Sequence, residues 1–296
     1  MFEHVKRKKS VLRANAEAVS NRLTRLIGAH YGEAIPQYFV SEYPRSGGTW
    51  LSNMLADYLR CSRPGKSVLP IACRAVLHNH WAYHPKLRRV IYLMRDGRDV
   101  MVSYYFYRIR GIEIGMTPKA RQFKRTFEQI LGAGYDSKDT STNLPKFMEY
   151  EFSHPVGAGK YNWPRHIQNW LGEGMETRPH VLYLTYEELL ADTHGVFRRA
   201  VEHVSGEVAE PRLIDRTVAH FSMENLTGRK SGEEDTSSFV RKGIAGDWKN
   251  HFTREAAEVF DHYAGEALVL AGYESNRDWV SLCSGSQTTI AEVVAS

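Results

Sequence analysis

The stretch Pro44-Arg-Ser-Gly-Gly-Thr-Trp50 carries more binding chemistry than any other part of the chain. Gly47 and Gly48 allow a tight turn and a close approach of backbone to a ligand. A helix starting at Thr49 would offer unpaired N–H groups and the positive end of its dipole, which together bind anions. Ser46 and Thr49 add hydroxyl donors, and Arg45 adds a permanent charge on a two-pronged donor fork. Two other basic stretches could grip a second anionic group: Arg95 with Ser103 eight residues on, and Arg241-Lys242-Gly243. Leu77-His-Asn-His-Trp-Ala-Tyr-His84 holds three histidines, side chains that ionise near neutrality and can take a proton from a nucleophile. The pair His78 and His80 also has a metal-ligand spacing, but no carboxylate or cysteine stands near it in sequence, so no metal is expected.

The elements that would hold these groups alternate strand and helix. Tyr38–Tyr43 has strand composition and leads into the loop, and Thr49–Leu59 has helical periodicity. Arg89–Met94 is a continuous apolar run suited to a strand buried on both faces, and a helix is expected over Asp96–Arg110. His180–Thr185 followed by Tyr186–Asp192 repeats the pattern, while residues 111–178 are less regular, as acceptor-side insertions often are. Residues 11–31 carry Val11, Leu12, Val19, Leu23, Leu26 and Ile27 at helical spacing, with Gly28 and Gly32 as stops. The expected fold is α/β, a central parallel sheet joined by right-handed crossovers and covered by helices.

The loop is not a Walker A motif, which needs G-x-x-x-x-G-K-[ST]. Gly65-Lys66-Ser67 imitates only its end, because Arg60 stands where glycine should and Pro64 breaks the pattern. Pro44–Trp50 instead resembles the P-K-S-G-T-T-W loop of sulfotransferases that use 3′-phosphoadenosine 5′-phosphosulfate (PAPS). Val90–Tyr105, with Arg95 and Ser103, is similar to that family's 3′-phosphate motif, and Arg241-Lys-Gly-Ile-Ala-Gly-Asp-Trp-Lys-Asn250 to its C-terminal signature. The resemblance spans about residues 36–275 and implies the P-loop-like sulfotransferase fold.

It also implies roles. Arg45, Ser46, Gly47, Gly48, Thr49 and Trp50 would hold the phosphosulfate and stack on adenine, with Tyr186 near the purine edge. Arg95, Ser103, Arg241, Lys242 and Gly243 would hold the 3′-phosphate. His80 falls at the histidine of the family's K-x-H triplet and would be the general base, with His78 in place of the lysine; His78 and His84 are further candidates for the base. Arg45 replaces the usual loop lysine and would act electrostatically, since arginine does not give up its proton. Met223 stands where members often carry an aromatic. The implied reaction moves a sulfuryl group from PAPS to an acceptor hydroxyl or amine and releases adenosine 3′,5′-bisphosphate (PAP), without a metal. An ATP-dependent phosphotransferase and a non-catalytic nucleotide or glycan binder are the alternatives.

The chain has 296 residues, 42% hydrophobic and 25% charged, which excludes disordered, fibrous and disulfide-scaffold classes. Three scattered cysteines and no apolar stretch behind the basic start lead to the expectation of a cytoplasmic protein. The formal charge of +5 is matched by residues 1–25 alone, where seven basic side chains face Glu3 and Glu17. Nucleic acid is therefore not expected as a partner, and the basic segment leaves contact with an anionic surface open. The expected organisation is a basic helical segment at 1–35, one domain at 36–280 and a tail at 281–296. The acceptor is expected to be a small molecule or glycan, with Tyr105, Phe106, Tyr107, Phe123, Phe127, Tyr135, Phe147, Tyr150, Tyr161 and Trp163 available to face it. Lys249–Glu258 is similar to the family's K-x-x-x-T-V-x-x-x-E dimer segment with Arg254 in place of valine, which leaves a homodimer open.

Overall fold

The structure is a computed structural model that describes residues 11–115, 120–155, 161–236, 238 and 240–283. Lys6, Arg7, Lys8 and Lys9 of the basic segment and residues 284–296 of the expected tail lie outside the described residues. Four parallel strands form the centre: β1 (Gln37–Glu42), β2 (Ala75–Asn79), β3 (Val90–Met94) and β4 (Val181–Thr185), in the order β2-β1-β3-β4. Strands β1 and β3 are buried along their whole length, as their apolar composition requires.

Alternation along the strands divides the core in two. Phe39, Leu77, Val90 and Tyr92 face one layer, packed by α3 (Gly97–Glu113), α5 (Thr140–Ser153), α6 (Trp163–Leu171) and α10 (Arg254–Leu270). Tyr38, Val40, Ile91 and Leu93 face the other, covered by α2 (Gly48–Tyr58), α7 (Tyr186–Ala191), α8 (Thr193–Ser205) and α9 (Pro211–His220). From β1 the chain moves outward through α2 to β2, then returns across β1 to β3. The crevice outside the carboxyl ends of β1 and β3 is therefore the switch point of the sheet, where open α/β folds bind ligands.

Three expectations change. Strand β2, which carries His78, gave too short an apolar run to stand out in the sequence. Residues 111–178 are largely helical, with α4 (Ala120–Leu131) completing the set before α6. Their Phe127, Phe147 and Trp163, together with Tyr105, are fully buried in the core and present no open face to an acceptor. Finally, α1 (Val11–Tyr31) forms where expected, but Gly28 lies inside it and its leucines point outward. The inward side needs small residues: a Cβ on Gly28 would lie 2.5 Å from the Phe39 ring.

Candidate active site

The loop after β1 turns through Arg45 at φ 78° and Gly47 at φ 97°, and α2 begins at Gly48. The left-handed step at Gly47 is crowded as well, since a Cβ there would lie 2.7 Å from Tyr186. Ser46 is 1% exposed, and its hydroxyl has no hydrogen-bond partner among the described residues. A buried hydroxyl with no protein partner beside a helix N-terminus fits an anion cradle. Trp50 is partly exposed, donates its indole N–H to the Phe221 carbonyl at 2.9 Å, and meets Tyr186 edge to face at 6.4 Å.

One donor of this cradle is already engaged. The Gly48 N–H donates to the carboxylate of Glu42, the last residue of β1. Register explains the meeting: β1 and β2 pair Val40 with His78 and Ser41 with Asn79, so Glu42, His78 and His80 fall on one face. His78 Nε2 lies 2.8 Å from Glu42 Oε1, and Arg63 Nη2 lies 3.2 Å from His78 Nδ1. Arginine only donates, so Nδ1 accepts and Nε2–H donates to Glu42. On the same reasoning His80 donates Nδ1–H to the Glu42 carbonyl at 3.0 Å, which leaves the lone pair on Nε2. Burial lowers the pKa of His80 below the usual histidine value, although the Glu42 charge pulls the other way. For Glu42, burial works upward, but the hydrogen bond and charge of His78, with His80 and the Gly48 N–H, hold it below the usual carboxylate range. His84 is turned back on its own turn, accepting the Lys86 N–H at 3.3 Å.

In space, though not in sequence, a carboxylate stands beside the histidine pair. Glu42, His78 and His80 each offer a ligand atom within 4.8 Å of the others. The tautomer works against a cation, however. A metal on His78 Nε2 needs Nδ1 to carry the proton, and Nδ1 faces the Arg63 donor.

At the second anionic end the basic side chains are held by partners within the protein. Arg95 donates from Nη1 to the Arg45 carbonyl and from Nη2 to the Ile244 carbonyl, both at 3.1 Å, and lies 4.4 Å over Tyr186. Arg45 is directed away from α2: its Nε donates to Ser103 Oγ at 3.1 Å, and its guanidinium lies 5.0 Å over Tyr107. Burial, and then Arg95, lower the Arg45 pKa to about 10, so it stays charged at neutrality. Arg241 and Lys242 both pair with Asp247 and Glu234. Against the effect of burial, hydrogen bonds from His251, Lys242, Arg241 and Asn250 hold the Asp247 carboxyl far below its usual range. Gly243, at φ 65°, passes close to Met223. Asp99 accepts the N–H groups of Gly246 and Trp248, which ties this loop to α3.

The structure thus brings the Arg45–Trp50 loop, Arg95, Ser103, Tyr186 and Arg241 to one crevice. Sequence reasoning missed Glu42, Arg63, Asp247 and Arg110. The last lines, with Arg45, Ser103 and Arg241, a cavity of about 10 Å³, no larger than a water molecule needs. Glu42 had a readable signal in its position, one residue before the loop.

Comparison with known proteins identifies the fold and the family. The family model described as "Sulfotransferase domain" matches residues 78–272. Human sulfotransferase 1E1 is 25% identical over 267 residues, covering 76% of this chain and 81% of that protein. Its bovine counterpart is 28% identical over 264 residues, covering 75% and 80%. Among solved structures, mouse sulfotransferase SULT7A1 complexed with PAP superposes with a TM-score of 0.53 at 19% identity, covering 80% of this chain and 88% of that one. A retinol dehydratase in complex with androsterone and PAP gives 0.51 at 18% identity, covering 78% and 80%.

Proposed function

Because the chain belongs to the sulfotransferase family, we propose that it moves the sulfuryl group of PAPS to the hydroxyl of a small, largely apolar acceptor, with His80 as general base. The observation that carries this reading is the hydrogen bond from His80 Nδ1–H to the Glu42 carbonyl. It leaves Nε2 able to receive a proton at neutral pH, within the residue cluster that abuts the start of α2.

In this reading the acceptor O–H gives its proton to His80 Nε2 as the oxygen attacks sulfur. The bond from sulfur to the bridging phosphate oxygen breaks, and PAP leaves with the electron pair. Ser46, Gly47, Thr49 and the remaining N–H groups of α2 hold the phosphosulfate, while Gly48 is committed to Glu42. Trp50 and Tyr186 take the adenine. Arg95, Ser103, Arg241, Lys242 and Gly243 take the 3′-phosphate, for which Arg45 must leave the Ser103 hydroxyl. Arg45 then contributes positive charge opposite the charge that develops on the leaving group. Arg63 at Nδ1 and Glu42 at Nε2 fix the His78 ring between them, at the place of the family's lysine. The androsterone and retinol seen in the related retinol dehydratase structures support an apolar alcohol as acceptor class.

The test is incubation with sulfur-labelled PAPS or labelled ATP over an acceptor panel, with and without EDTA. Label transfer from PAPS that EDTA leaves unchanged, and that is lost in His80→Gln while PAP binding is kept, supports the proposal. Magnesium-dependent phosphate transfer, or binding without any turnover, refutes it.

A further inference from the structure

Helix α1 is packed the wrong way round for an ordinary amphipathic helix. Its buried positions are Ser20, Thr24 and Gly28, spaced four apart. The phase is fixed by contacts: Thr24 Oγ1 accepts the Ile71 N–H at 2.9 Å, Gly28 abuts Phe39, and Arg25 donates to the Ala82 carbonyl at 2.8 Å. The large apolar residues are therefore locked on the outside. Leu12 is 80% exposed, Val19 54%, Leu23 42% and Leu26 52%. Their spacing of seven, four and three places them on one narrow stripe opposite the buried side.

The charge of the helix is net positive: it carries Arg13, Arg22 and Arg25 against Glu17, and Arg13 pairs with Glu17. Arg22 is exposed beside the stripe, and residues 1–25 hold the whole net positive charge of the chain. An apolar stripe with an exposed cation beside it, on a helix lying along the protein, matches an interfacial helix that sinks a few ångströms into a negatively charged bilayer. A second copy fits less well, because symmetric pairing about the centre of the stripe sets Arg22 against its counterpart. No helix among the described residues is long and apolar enough to cross a membrane.

We propose that the outward face of α1 docks on an anionic lipid surface, with Leu12, Val19, Leu23 and Leu26 entering the headgroup region and Arg22 meeting the lipid charge. This surface is separate from the donor crevice, so the two readings stand or fall independently.

The experiment is co-sedimentation of the full chain with vesicles of phosphatidylcholine alone or mixed with phosphatidylserine. Binding should be at least about tenfold stronger to the mixed vesicles and should weaken as salt rises. Val19→Glu with Leu23→Glu should lower it by about tenfold or more, because two apolar side chains no longer enter the lipid. Thermal stability and PAP affinity of that variant should match the wild type, since neither residue is buried or near the crevice. No binding to mixed vesicles, or equal binding of the variant, would overturn the proposal. So would a solution dimer that the variant dissolves, since the occupant would then be a second copy.

Discussion

Glu42 and Gly48 are fitted to each other: the Gly48 N–H donates to the Glu42 carboxylate, and a Cβ at position 48 would lie 2.6 Å from the carboxylate carbon. The related loop pattern P-K-S-G-T-T-W has threonine at the place of Gly48, so the glycine here makes room for a buried acid. Gly48→Thr should therefore cost about 1–3 kcal/mol of stability, the usual range for overpacking. The same change in a Glu42→Thr background should cost much less. Urea unfolding of the four proteins in this cycle measures the coupling, and equal costs in both backgrounds would show that the two sites are independent.

The pH dependence of turnover follows from the surroundings of His80. Burial lowers its pKa, so the acid limb of kcat/KM should lie below pH 6.5, the ordinary value for histidine. The Glu42 charge opposes that shift. Glu42→Gln should therefore move the acid limb to still lower pH, whereas a merely structural role would reduce the rate without moving it. His80→Ala should lower kcat by about 10²–10⁴ and spare PAP affinity, which calorimetry reads directly.

Arg45 bridges the loop and the Ser103 end of the crevice. Arg45→Ala should reduce kcat by about 10²–10³, the scale for loss of one charge partner, and weaken PAP binding. Arg45→Lys should retain a large part of the rate, because the proposed role is electrostatic. Equal losses in the two variants would mean that the guanidinium geometry, and not its charge, matters.

His166 is fully buried, shares a 2.9 Å hydrogen bond with the Tyr92 hydroxyl, and is pushed down by burial to about 3. A histidine depressed on folding contributes stability that is complete above its unfolded value near 6.5. That contribution is lost as pH falls, because the unfolded chain takes the proton and the folded one does not. By pH 5 the loss amounts to about 2 kcal/mol. His166→Gln should shrink the stability difference between pH 7 and pH 5 by about this amount in urea titrations. An unchanged difference would mean that His166 is protonated in the folded state.

The parallel sheet and the loop between β1 and α2 could be read in advance because each rests on local pattern: apolar runs such as Val90–Met94, and glycines beside hydroxyls. The errors came where packing between distant segments decides. Leu12, Val19, Leu23 and Leu26 make a regular stripe, yet close approach to Phe39 needs Gly28, so the helix turns its small residues inward. The Glu42–His78 bond spans 36 residues and depends on the register of β2, a strand with only Ala75, Val76 and Leu77 ahead of the histidine. Arg241 and Lys242 were legible as cations, but not their capture by Asp247, which requires the turn at Gly246.

Arg95 joins the carbonyls of Arg45 and Ile244, groups that lie almost two hundred positions apart along the polypeptide. A chain emerging from the ribosome thus has the first wall of the crevice long before the second exists. In the proposed reading, nucleotide meets a complete crevice only once the far wall has been made. Any protection that the cosubstrate gives against unfolding or degradation begins only after the segment around Ile244 has been translated and has closed on Arg95.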